Sequence, residues 1–141
     1  MRKVLIIGSI LSLLFLKIAS AESVPLTQDN MVRAVLGESE GEGFQGMLAV
    51  AYAINNRGYM KGVYGLKAIS VRSGAFWRGS RQIASPTVSE AQKAVRWAYW
   101  HPEKDLTHGA THWEGTVFKK PYWAKHMTKT LTVGHQAFYK E

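Results

Sequence analysis

The 141-residue sequence contains no cysteine, only two aspartates (Asp29 and Asp105), and no uninterrupted apolar run of the roughly 20 residues that a membrane-spanning helix requires. The absence of cysteine removes both a disulfide framework and a lipid-modified N-terminus, so any exported domain here must be held by packing alone. Acids are scarce in general. Lys and Arg number 18 against 10 Asp and Glu, a formal net charge of +8. Such a balance suits an anionic partner, but it equally serves solubility, and charge alone does not separate the two readings.

What is present begins at the N-terminus. Arg2 and Lys3 precede an apolar stretch over residues 4–16, and Ala19-Ser20-Ala21 follows. A charged start, a short apolar centre and a small-residue site are the three parts of a secretory signal peptide, with cleavage expected after Ala21. An uncleaved N-terminal anchor is the alternative. Cleavage leaves residues 22–141 as one domain of 120 residues, and removal of Arg2, Lys3 and Lys17 reduces the formal charge to +5.

No internal repeat or low-complexity run follows Ala21, which predicts one unit. Thr27 is placed to cap a first helix, with Leu26 and Met31 at staple positions, and Gly41 and Gly43 mark its end. Met47, Val50, Ala51 and Ile54 recur at the spacing of a buried helical face, and Gly58 is placed to stop that second helix. Residues 58–85 have scattered glycines and no long period, so loops with a helical turn over 66–70 are expected there, bordering a cleft. A further helix is predicted from Ser85-Pro86-Thr87, with Thr87 and Glu90 as a capping box, Ala91, Ala94, Val95 and Ala98 inside, Trp97 and Trp100 packed with it, and an end at His101-Pro102. The β-branched and aromatic content of 111–113 and 131–139 predicts two or three short strands, with a helical turn after Pro121. The expected class is α+β, mainly helical, with a small β element.

Glu38 falls seven residues after Met31 and three after Val35, so its carboxyl emerges on the apolar side of the first helix. Partial burial disfavours the ionised form, which would give a general acid able to protonate a glycosidic oxygen near neutral pH. A helix-end carboxylate paired with Arg57 explains the position as well.

Several further segments share an order with a known family. Gly37-Glu38-Ser39-Glu40-Gly41-Glu42, Asn56-Arg57, Gly74-Ala75-Phe76-Trp77, Gly109-Ala110-Thr111-His112-Trp113, Pro121-Tyr122-Trp123 and Gly134-His135-Gln136-Ala137-Phe138-Tyr139 together resemble the motifs of SleB/CwlJ-type cell-wall hydrolases. The resemblance spans residues 30–139. It implies a lysozyme-like or lytic transglycosylase-like single domain in which the first glutamate of the G-E-x-x-G-E pattern, Glu38, is the catalytic acid. Glu40 stands where the family has arginine and would place extra negative charge near Glu38. The peptidoglycan-binding repeats of spore-cortex members are missing, so a germination role does not follow.

The second acid, Glu42, either orients water or the 2-substituent of the sugar or serves structurally, pairing with Arg57 or capping the second helix; the structural role is preferred. A conventional glycosidase places a second carboxylate across the scissile bond. Only Glu42 and Glu114 stand near enough in motif terms, which favours a single-acid mechanism. His108, His112 and His135, with the acid Glu114 after the first two, suggest a zinc site, but the spacing lacks the internal glutamate of the common zinc-protease helix, and no metal or cofactor is expected. Thr111 and His112 are assigned to the cleft wall and His135 to the strands. Phe76, Trp113 and Tyr139 join Glu42 as expected substrate-binding residues, because flat aromatic faces suit sugar rings, although such residues more often fill cores.

The resulting expectation is a secreted or periplasmic monomer that cleaves peptidoglycan glycan strands as a lytic transglycosylase, without nucleic acid as partner and without a stable membrane anchor after signal cleavage. A zinc amidase or peptidase acting on the stem peptides and a non-enzymatic peptidoglycan-binding module are the rivals.

Overall fold

The structure, a computed structural model, describes residues 24–141. The expected signal peptide lies outside the described residues. Helix α1 (Gln28–Ser39) starts where Thr27 accepts the Asn30 N–H on its hydroxyl, as its sequence predicts, and it buries Val32, Val35 and Leu36. Helix α2 (Gly43–Arg57) presents Met47, Val50, Ala51 and Ile54 to the interior and ends at Gly58, whose φ of 78° is a left-handed cap that a Cβ would strain. A short helical turn, α3 (Gly65–Ala68), leads into β1 (Ile69–Arg72), β2 (Ala75–Arg78) and β3 (Arg81–Gln82). Helix α4 (Ser85–Trp100) packs on α1 and α2 through Ala91, Ala94, Val95 and Ala98. The chain closes with β4 (His112–Gly115), β5 (Thr128–Val133) and β6 (Gln136–Lys140), preceded by a helical turn over Tyr122–His126.

The result is the mixed α+β, mainly helical architecture expected, with two antiparallel three-stranded sheets ordered β1-β2-β3 and β4-β6-β5. Among the described residues no helix is long and apolar enough to cross a membrane.

Three expectations need correction. The expected helical turn forms at α3, but residues 69–82, expected as loop, form a sheet: its strands are two to four residues long and largely exposed, too short to show a hydrophobic alternation in the sequence. The capping box at Thr87 and Glu90 does not form. Helix α4 begins three residues earlier than that box requires, with Ala84 at the cap and Pro86 in its first turn, where a missing N–H costs nothing. Trp97 and Trp100 stand off the buried stripe of α4 and are exposed.

The connection from α4 to β4 is organised by one acid. Asp105 accepts from the Thr107 hydroxyl (2.6 Å) and N–H (2.8 Å), the Asn56 amide (2.8 Å) and the Gly109 N–H (2.9 Å). Burial pushes its carboxyl up, but the bonds from Thr107, Asn56 and Gly109 outweigh burial and leave it below the ordinary aspartate value. A depressed folded-state pKa contributes stability that is present above about pH 4, the unfolded value, and lost as pH falls through the lower folded value. Asp105→Ala is therefore expected to cost about 1–2 kcal/mol at pH 7, the low end for charged acceptors because the carboxyl is partly exposed and screened. Thermal melts from pH 7 to pH 2 check the sign: the gap between native protein and variant should narrow below pH 4.

Candidate active site

Glu38 sits in the last turn of α1 and projects into a cleft of about 510 Å³ between the helices and the β4-β6-β5 sheet. Its Oε1 accepts the Gly65 N–H at 2.6 Å, and its Oε2 accepts the Trp113 indole N–H at 3.1 Å. The first bond exists because α1 and α3 approach backbone to backbone. A Cβ on Gly65 would lie 2.6 Å from the Glu38 nitrogen and 2.7 Å from its Cγ, and a Cβ on Gly37 would overlap the Gly65 carbonyl. The second follows from strand register: Trp113 pairs with Phe138, so both rings face the helices, and Phe138 is fully buried against them. Gln136 on the same face donates from its amide to the Glu38 carbonyl oxygen at 2.7 Å, tying β6 to the end of α1.

Arg57 backs this arrangement. Its guanidinium donates to the Thr111 and Lys61 carbonyls at 2.9 and 3.2 Å and lies 5.0 Å from the Trp113 ring centroid and 5.5 Å from that of Tyr59. Half-burial lowers its pKa, while Tyr59 and Glu38 act in the opposite sense. Arg57 supports Trp113 and forms no ion pair with Glu38 within 4 Å. His112 also lines the cleft. Burial first and the Arg57 charge second lower its pKa, so its imidazole is uncharged at neutral pH, with Nδ1 2.9 Å from the Thr111 hydroxyl.

The other acids of the motif are already engaged. Glu42 lines the cleft and accepts the His135 N–H at 3.0 Å, with the His135 Nδ1 at 3.3 Å, so it fastens the β5–β6 turn to the start of α2 and makes neither of its expected structural contacts, a pair with Arg57 or a helix-capping bond. Gly134 in that turn has φ 53°, and a Cβ there would overlap the Glu42 carboxylate. Glu40 does not charge the site as its sequence position suggests. It turns to Arg81 and Arg78 at 2.8 and 2.9 Å, and these bonds, the Arg81 bond first, outweigh the upward push of burial and hold its carboxyl below the ordinary range. Glu114 also lines the cleft, on the face of β4 that carries His112 and opposite to Trp113, the residue that binds Glu38.

Of the expected site residues, Glu38, Glu42, His112 and Trp113 therefore share one cleft, whereas Phe76, Thr111 and Tyr139 do not belong to it. Phe76 is 6% exposed and packs in the main core, because alternation along β2 turns it inward. Tyr139 is also 6% exposed; it alternates with Phe138, faces away from the helices, and packs edge-on against Trp123 at 5.4 Å. Thr111 borders an adjoining depression with Asn56 and Gly109. His135 lies at the exposed β5–β6 turn rather than buttressing the strands. Among the described residues no three His, Asp or Glu side chains converge as a metal site would require. The sequence reading missed Gly65 and Gln136, since a backbone N–H and a glutamine far along the chain carry no local signature. The glycine at 65 was the available signal.

Comparison with known proteins now adds to the geometry. No curated protein matches the chain significantly. The crystal structure of the catalytic domain of the Bacillus cereus SleB protein matches with a TM-score of 0.51 at 21% identity, covering 86% of this chain and 99% of that one. That likeness establishes a shared fold. The sequence pattern described as Cell Wall Hydrolase matches residues 41–139, a segment that starts three residues after Glu38 and includes α2, both sheets and the rest of the cleft. The chain belongs to the cell wall hydrolase family and is a peptidoglycan-degrading enzyme.

Proposed function

We propose that the protein is an exported lytic transglycosylase that cleaves the glycan strand between the MurNAc and GlcNAc units with Glu38 as its one catalytic carboxyl. The observation that carries this reading is the carboxyl of Glu38 in the cleft, each oxygen held by a fixed N–H donor. Such anchoring fixes the carboxyl where a proton must be given and then taken, and positioned general acids and bases contribute roughly 10²–10⁴-fold. The single-acid form is favoured because Glu42 is bound by His135 and Glu114 lies on the strand face opposite to Trp113.

In the first step protonated Glu38 gives its proton to the glycosidic oxygen, the bond from MurNAc C1 to that oxygen breaks, and the GlcNAc 4-hydroxyl leaves. The resulting Glu38 carboxylate takes the proton of the MurNAc 6-hydroxyl as O6 attacks C1, which closes a 1,6-anhydro ring and restores the acid. The substrate supplies the nucleophile, and no metal, cofactor or partner chain enters the cycle.

Trp113→Phe keeps the ring and removes the N–H from Glu38. It is expected to lower kcat by about tenfold, the worth of one bond to a charged group, with little change in melting temperature. Mass spectrometry of products released from purified peptidoglycan tests the reaction itself. Anhydromuramic ends, lighter by one water, support the transglycosylase. Reducing ends would identify a hydrolase that uses water, and release of free stem peptides would overturn glycan cleavage altogether.

A further inference from the structure

Large apolar side chains are exposed around the mouth of the Glu38 cleft. Tyr64 is 81% exposed, Phe118 68%, and Tyr59 and Val117 flank them. Other exposed apolar side chains occur on the surface, among them Tyr99 and Trp100 on α4, but four gather at this one opening, and an exposed apolar cluster beside polar groups marks a ligand surface. Two of the rings are tied to the donors that hold the carboxyl. Tyr64 immediately precedes Gly65, whose N–H binds Glu38 Oε1. Phe118 folds back on β4 through its N–H to the Gly115 carbonyl at 3.2 Å, and its ring rests on Gly115 so closely that a Cβ there would lie 2.9 Å from Cδ2. Gly115 is two residues beyond Trp113, whose indole binds Oε2. One ring is thus linked to each side of the acid, on separate elements, and the bare Gly115 provides the seat that keeps Phe118 out of the core.

We infer that Tyr64 and Phe118 are stacking platforms for the sugar residues on the two sides of the bond that Glu38 attacks, an assignment that rests on the glycan-cleaving reading above. A pyranose presents one face of C–H groups that an aromatic face covers while its hydroxyls stay in water. Lys61 and His135 line the same opening, and this mixture of rings and polar groups suits a sugar chain better than a continuous apolar partner.

The test uses the full chain and soluble glycan fragments of alternating GlcNAc and MurNAc. Tyr64→Ala and Phe118→Ala are each expected to raise KM about tenfold, the effect of truncating a well-placed aromatic contact, with kcat changed less than about threefold. Tyr64→Phe and Phe118→Tyr should restore binding, because they keep the ring. Unchanged KM in both alanine variants, or no recovery with the ring restored, would overturn the assignment. Calorimetric binding of the same fragments to Glu38→Gln, with and without the platform changes, separates this result from the reaction: native protein that binds fragments through these rings yet never cleaves them would defeat the glycosidic reading and leave the platforms standing.

Discussion

Glu38→Gln is expected to reduce release of glycan fragments by about a thousandfold, within the range that a positioned acid and base contributes. The substitution preserves shape and removes the proton. It also turns one acceptor oxygen into an NH2 group facing a donor, either the Gly65 N–H or the Trp113 indole, which costs about 1 kcal/mol and leaves the fold intact. Fragment release and a thermal melt on the same sample separate chemistry from stability: activity collapses while the melting temperature moves by a few degrees. Retained cleavage would mean that another carboxyl acts, and Glu42 and Glu114 are the two that border the cleft.

The second large effect lies in a contact with no side chain. Gly37 and Gly65 meet where α1 crosses α3, and a methyl on Gly37 would occupy the space of the Gly65 carbonyl. Backbone cannot swing aside as the tip of a flexible side chain can. Gly37→Ala should therefore cost about 3 kcal/mol, at the upper end for overpacking, and lower the melting temperature by about 10 °C. Activity should fall further than stability explains, because separating α1 from α3 withdraws the Gly65 N–H from Glu38. Gly41→Ala is the matched control: a Cβ there meets nothing within 4 Å, so it should change stability by less than about 0.5 kcal/mol.

The long helices were legible because their burial follows a single period: Thr27 caps α1, and Met47, Val50, Ala51 and Ile54 line the inner face of α2. The β1-β2-β3 sheet was not, since strands of two to four residues held by glycine turns leave no alternation to read. The same contrast governs the site. Glu38 could be singled out by an acid's unusual place on an apolar face and by the motif around it. Which aromatics share its cleft depends on strand parity: a shift of one position separates Trp113, beside Glu38, from the face that carries Tyr139, and the sequence alone did not fix that parity. Glu40 shows a further limit, because the two arginines that neutralise it lie about 40 residues downstream, on β2 and β3.

The bonds that complete the site are long-range. Glu38 meets Gly65 across 27 residues, Trp113 across 75 and Gln136 across 98, and Glu42 reaches the turn before β6 across 93. Contacts that close large loops form after local ones, since the entropy of closure must be met before any of them is rewarded. Helices α1 and α2, the Gly65 bond to Glu38 and the β1-β2-β3 sheet draw on neighbouring sequence, whereas the Trp113 and Gln136 bonds to Glu38 need β4 and β6. A chain without its last 30 residues would therefore keep the helical core but lack the strand wall that closes the cleft over Glu38.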